Sequence, residues 1–212
     1  TLLKLLKKKE RERVVFVPGN HDVSWEARIG DAIPFEEYVR RQPGADPARL
    51  LAALQRAPER AGARHVIRPD GRVEVIPVDP ELYPERFRHV QGFLEHFYER
   101  SLGGAHRMMD LTARDDGEHW SAHVFPEQGV AFYGFSSCHR NDRYWHGATV
   151  SRLALNRAAE HAREHAKNLL LVAVWHHGLT GEPGRPDHLT LLDVGELYNA
   201  GFRIGFHGHT HE

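Results

Sequence analysis

Three apolar runs in this sequence each stop at asparagine or histidine, and that arrangement limits the folds open to the chain. Val14-Val15-Phe16-Val17 leads into Pro18-Gly19-Asn20-His21-Asp22, residues 169–175 lead into His176-His177-Gly178, and Phe202-Arg203-Ile204-Gly205-Phe206 leads into Gly208-His209-Thr210-His211. Short continuous runs rich in β-branched and aromatic residues read as buried strands. Pro18 has no N–H for a sheet ladder and Gly19 tolerates unusual backbone angles, so the first strand is expected to end there. The carboxyl ends of strands are where open α/β sheets place their ligands. Gly19-Asn20-His21-Asp22 by itself is also ordinary turn composition. Two further apolar runs that end in histidine point instead to a site shared by three strand ends.

The segments between these runs predict an α/β alternation in the second half of the chain. Residues 119–125 and 130–135 read as two strands across a Pro-Glu-Gln-Gly turn. A helix over 151–167 carries Leu155, Ala158, Ala159, Ala162 and Ala166 on one face, and a second helix covers 189–199 with Gly201 at its C-terminal cap. Residues 169–175 suit a parallel strand buried on both faces. The loop 136–143 carries Arg140, Arg143 and His139; exposed loop charge is the commoner reading of such a stretch, and contact with a phosphate the rarer one.

Residues 23–118 break the pattern, and a span of this length between site-bearing strands predicts an inserted, mostly helical cap. Asp46-Pro47 marks a helix start, with Leu50, Leu51 and Leu54 as its apolar face. Pro69-Asp70-Gly71 between two apolar runs marks a hairpin. A helix over 84–102 carries Phe87, Val90, Phe93, Leu94, Phe97 and Tyr98 at helical spacing, closed by Gly103-Gly104. That aromatic stripe reads as packing rather than a stacking platform. Upstream, residues 1–13 predict the end of an amphipathic helix whose charged part, Lys7 to Arg13, is a solvated face.

Gly19-Asn20-His21-Asp22, His176-His177 and Gly208-His209-Thr210-His211 resemble the third, fourth and fifth sequence blocks of the calcineurin-like metallophosphoesterases, in the family's order. The resemblance covers 1–22 and 119–211 and implies an incomplete metallophosphoesterase-type sheet/helix sandwich, with 1–22 and 119–212 as the core and 23–118 as the cap. It implies a phosphodiesterase or phosphatase with two divalent ions, manganese, iron or zinc. These neutralise the phosphate, generate the nucleophile and orient in-line attack. Asn20, His176 and His209 would bind one metal and His211 the other. In an extended segment His209 and His211 would point to different sides and so serve two ions. His177 stays open as the alternative to His176. His21 would protonate the leaving oxygen, oriented by Asp22. His207 reads as an ordinary residue.

The family's first two blocks, Asp-x-His and Gly-Asp, have no counterpart ahead of Gly19. The expectation is therefore a domain completed by further segments of a longer polypeptide, acting on a phosphoester that includes nucleotides or nucleic acid among its candidates. The alternative is a catalytically incomplete or degenerate module that binds a partner. Twenty-eight basic against 29 acidic residues argue against a polyelectrolyte partner spread over the whole surface. Of 17 histidines, six lie in or beside the three blocks, and the remainder are expected at the surface. The single cysteine, Cys138, forms no internal disulfide, which with no visible signal peptide and no apolar run of membrane length predicts a cytoplasmic protein without a membrane partner.

Overall fold

The computed structural model describes residues 6–25, 30–56, 63–79, 81–99, 102–181 and 187–209. The chain divides into two compact units, Glu26–Arg86 and the segments on either side of it.

The smaller unit holds β1 (Ile33–Pro34), α1 (Phe35–Arg40), α2 (Pro47–Arg56), β2 (Ala63–Ile67) and β3 (Val73–Pro77). Its strands form an antiparallel sheet in the order β1-β3-β2. The expected helix start is in place, with Asp46 Oδ1 accepting the Arg49 N–H at 2.8 Å. The expected hairpin also forms, and Gly71 takes φ 81° at its turn. Tyr38, Leu54, Ala63 and Val75 make the core.

The larger unit holds α3 (Arg88–Tyr98), β4 (Trp120–Phe125), β5 (Val130–Phe135), α4 (Arg152–His165), β6 (Leu170–Trp175), α5 (Leu191–Asn199) and β7 (Ile204–His207). The sheet order is β4-β5-β6-β7. β4 and β5 are an antiparallel hairpin; β5, β6 and β7 are mutually parallel, with α4 and α5 in the connections. The chain is thus of mixed α/β class. Ser151 caps α4 by accepting the Ala154 N–H, and Thr190 caps α5 through Asp193. Ala154, Ala158 and Ala162 of α4 are small, so the helix packs closely on Trp120, Ala122, Tyr133, Phe135 and Trp175. A second core gathers Phe87, Leu94, Phe97, Tyr98, Met109, Leu111, Val23 and Cys138. Among the described residues no helix is long and apolar enough to cross a membrane.

Several expectations need correction. Val14-Val15-Phe16-Val17 lies in no sheet. The Phe16 ring meets Phe93, Phe97 and Tyr98 edge-on at 5.1, 4.8 and 6.3 Å. A Cβ on Gly134 of β5 would stand 3.1 Å from Val17. The run is therefore held by side-chain packing against α3 and the sheet rather than by a ladder; strand propensity is satisfied by any half-buried extended surface. Lys8–Arg13 forms a 3-10 helix, and Leu2, Leu3 and Leu5 of the expected amphipathic helix lie outside the described residues. The helix expected over 84–102 is a 3-10 turn, Tyr83–Phe87, followed by α3, which closes at Glu99 with φ 38° and not at Gly103-Gly104. α3 falls in the larger unit, so the region 23–118 is shared between the two units. His119, His123 and His139 are buried, not at the surface.

The loop 136–143 is buried except at its two arginines: Arg140 is exposed as expected and Arg143 is half-buried, whereas Asn141 and Asp142 have no accessible surface. Asp142 Oδ1 accepts the N–H groups of Tyr144 and Trp145 at 2.8 and 3.1 Å, so its carboxylate is spent on a turn. The loop is tied to the Pro18–Trp25 stretch by the Cys138 thiol, which donates to the Pro18 carbonyl at 3.0 Å, and by the Arg143 N–H, which donates to the Trp25 carbonyl at 3.2 Å.

Candidate metal centre

Because β5, β6 and β7 run parallel, their carboxyl ends share one edge of the sheet, which brings Ser137, His176, His177 and His209 together. The Gly208 N–H donates to the His176 carbonyl at 3.0 Å and locks the two last ends to each other. The Asn20 turn joins them from outside the sheet. It is a single 3-10 turn, Asn20–Asp22, in which Asp22 Oδ2 accepts the Gly19 N–H at 2.8 Å. The Trp25 indole N–H donates to the Asn20 carbonyl at 2.7 Å. Gly19 lets the His176 ring lie close against the turn: a Cβ would stand 3.0–3.3 Å from three ring atoms.

The result is a convergence of three neutral donors. His176 Nε2 is 3.1 Å from Asn20 Oδ1 and 3.1 Å from His209 Nδ1. Two ligands about 2.1 Å from a common ion stand about 3.0 Å apart at a right angle and about 3.4 Å apart at the tetrahedral angle. Both separations at His176 fall in that interval, the spacing of neighbouring ligands on one divalent ion. Nitrogen and amide-oxygen donors suit manganese, iron or zinc. Among the described residues no three His, Cys, Asp or Glu side chains are grouped to hold a metal; this group is two histidines and an amide. His211, the expected ligand of a second ion, lies outside the described residues. His209 has φ 72°, so the chain is not extended at His209 itself.

His177 points one ring nitrogen at Ser137, and its Nε2 is buried with no hydrogen-bond partner. It is fully buried, its Nδ1 is 2.8 Å from Ser137 Oγ, and burial first, then the neighbouring His176 and His209, push its pKa down to about 4. Ser137 Oγ also lies 3.3 and 3.2 Å from the N–H groups of His176 and His177, which donate to it. His21 is exposed and borders a cavity of about 340 Å³. Asp22 spends at least one oxygen on the turn, which gives it a backbone task beside the expected one of orienting His21.

Two participants went unnoticed in the sequence. Ser137 pins the His176-His177 peptide from a loop about 40 residues away. Asp187 places Oδ2 at 4.0 Å from His209 Nε2, within ion-pair reach but beyond a hydrogen bond, while its Oδ1 is buried without a hydrogen-bond partner. A carboxylate behind a ligating imidazole is a common way of orienting it. Neither residue belongs to a motif: Ser137 sits in a serine pair and Asp187 in a Pro-Asp-His string. Comparison with models of known families, with curated proteins and with solved structures gave no match.

Proposed function

We propose that this chain carries one half of a metal-dependent phosphoester hydrolase centre on a metallophosphoesterase-type sheet/helix framework. The observation that supports it best is the placing of Asn20 Oδ1 and His209 Nδ1 at 3.1 Å from His176 Nε2, by three segments far apart in sequence. Divalent ions supply charge neutralisation for the phosphate and a nucleophile at neutral pH. Asn20, His176 and His209 hold one such ion, and His211 is proposed for a second. The backbone ties from Ser137, Gly208 and Trp25 hold these donors in place before any ligand arrives. His21, exposed beside the donors, delivers a proton from its imidazole to the leaving oxygen, and the Asp22 turn fixes its place.

The donor set is neutral, which favours a second reading in which the chain is a catalytically incomplete binding module. Carboxylates normally offset the charge of two dications, and Asp22 and Asp187 are the acidic side chains placed closest to these donors by the contacts described above.

Hydrolysis of bis(4-nitrophenyl) phosphate with manganese, measured on the chain and on His21→Ala and His176→Ala, separates the two. The hydrolase reading expects turnover that EDTA abolishes, that His176→Ala removes and that His21→Ala lowers by about 10²–10⁴-fold. Absence of turnover in the chain, or turnover indifferent to both substitutions, favours the binding module.

A further inference from the structure

We propose that the cavity beside His21 binds the leaving alcohol of the phosphoester, and that this alcohol carries an aromatic ring system. The inference rests on the hydrolase reading for the role of His21; the shape and chemistry of the cavity stand independently of it. His21, Asp22, Val23 and Ser24 form one wall, and His89, Val90 and Phe93 of α3 form the other.

Phe93 is the distinctive wall residue. Its helix neighbours Leu94 and Phe97 are buried, whereas Phe93 is 41% exposed. This half-exposed ring packs against two others. Phe16 meets it edge-on at 5.1 Å with an interplanar angle of 85°, and Phe97 lies tilted at 5.9 Å. Packing of this kind favours one ring orientation, which lowers the ordering cost of stacking another ring on it. Val23 and Val90 extend the apolar surface. Ser24 and His89 add a hydroxyl and an imidazole that suit the polar substituents of a ring.

Charge separates the cavity from the phosphate position. Among the described residues its lining includes a carboxylate, Asp22, and no lysine or arginine. Such a wall repels a phosphate and accepts an uncharged group. The phosphate belongs with Asn20, His176 and His209, and Asn20 is joined directly to His21 on the same turn. A leaving group protonated by His21 must therefore project along the wall that continues through Val23 to Phe93. The volume, about 340 Å³, lies near the lower end of the roughly 300–1,000 Å³ usual for small-molecule pockets. That is room for one ring system with a modest substituent. A phenol and a nucleoside share this chemistry.

The test is equilibrium binding of 4-nitrophenol, adenosine and glycerol to the whole chain in EDTA, by ligand-observed NMR, with Phe93→Leu as the variant and circular dichroism as the folding control. Phe93→Leu keeps an apolar side chain and removes the ring. The expected result is that at least one ring compound binds about tenfold tighter than glycerol and that Phe93→Leu weakens it about five- to tenfold. Binding of 4-nitrophenol alone identifies an aryl ester as the source, and binding of adenosine alone a nucleotide. Equal binding of glycerol, or no loss in folded Phe93→Leu, overturns the proposal. Ring binding by a chain that hydrolyses no phosphoester overturns the leaving-group assignment together with the hydrolase reading. Hydrolysis indifferent to the ring and to Phe93→Leu overturns the cavity assignment alone.

Discussion

Ser137 Oγ stands 2.8 Å from His177 Nδ1 while accepting the backbone N–H groups of His176 and His177. Two donors fill the lone pairs of the hydroxyl, so its own proton goes to His177 Nδ1, and the neutral His177 ring carries its hydrogen on Nε2. This hydrogen-bond count is consistent with the direction of the rings, His176 toward Asn20 and His177 toward Ser137. Ser137→Ala leaves two backbone N–H groups and a buried imidazole short of a partner. We expect a loss of about 1–3 kcal/mol in urea unfolding and metal binding weakened about 10–100-fold. Unchanged metal affinity in folded Ser137→Ala contradicts the positioning role.

Gly19 tests how closely the His176 ring must lie. Its φ and ψ of −95° and 170° suit any residue, so Gly19→Ala acts through volume and not through backbone strain. The added methyl meets the ring at 3.0–3.3 Å and displaces it by a few tenths of an ångström. The expected outcome is a protein of near-native melting temperature whose metal affinity falls several-fold. An affinity equal to that of the parent chain would show that the ring position does not matter.

Asp187 is expected to act through charge. Asp187→Asn keeps the shape and removes the carboxylate facing His209 Nε2. Metal affinity measured by competition with a chelator should fall about tenfold. An unchanged affinity would mean that Asp187 serves only its own loop.

Buried histidines set an acid limit on stability. His123 is fully buried, its Nδ1 donates to the Glu12 carbonyl at 2.7 Å, and burial pushes its pKa down to about 4. His161 and His177 are pushed the same way, also to about 4. An unfolded histidine takes up its proton near pH 6.5, and these do so in the folded chain only near pH 4. The unfolded state therefore binds more protons across this window, and stability that is complete above about pH 6.5 is lost as the pH falls toward 4. For His123 the loss is on the order of 3 kcal/mol. Urea midpoints between pH 7 and pH 4 should show the decline, with a shallower slope in His123→Leu. An equal slope in the variant would assign the decline to other groups.

Much of the sheet was legible because local signals agreed with tertiary packing. Ser151 ahead of an alanine-lined helix, Asp70-Gly71 between two apolar runs, and the continuous apolar strand before His176 each specify one structure at short range. His176 and His209 were legible as residues at strand ends, whereas Asn20 follows a run that forms no strand. Ser137 and Asp187 were not, because their importance comes from contacts made by ordinary residue types across 39 and 40 places for Ser137, and across 22 for the Asp187–His209 pair. Residues 14–17 misled for a related reason: an apolar β-type run records that it will be covered, not whether its cover is a strand or the aromatic face of α3. Asn141 and Asp142 look like exposed loop residues until the turn that uses the Asp142 carboxylate is seen.

The most direct measurement is the manganese, iron and zinc retained per chain after gel filtration, by elemental analysis, for the parent protein and for His176→Ala/His209→Ala. A centre at Asn20, His176 and His209 predicts about one ion per chain, or about two if His211 completes a second site, and loss of the ion in the double variant. Near zero in the parent, or the same content in both proteins, would contradict it.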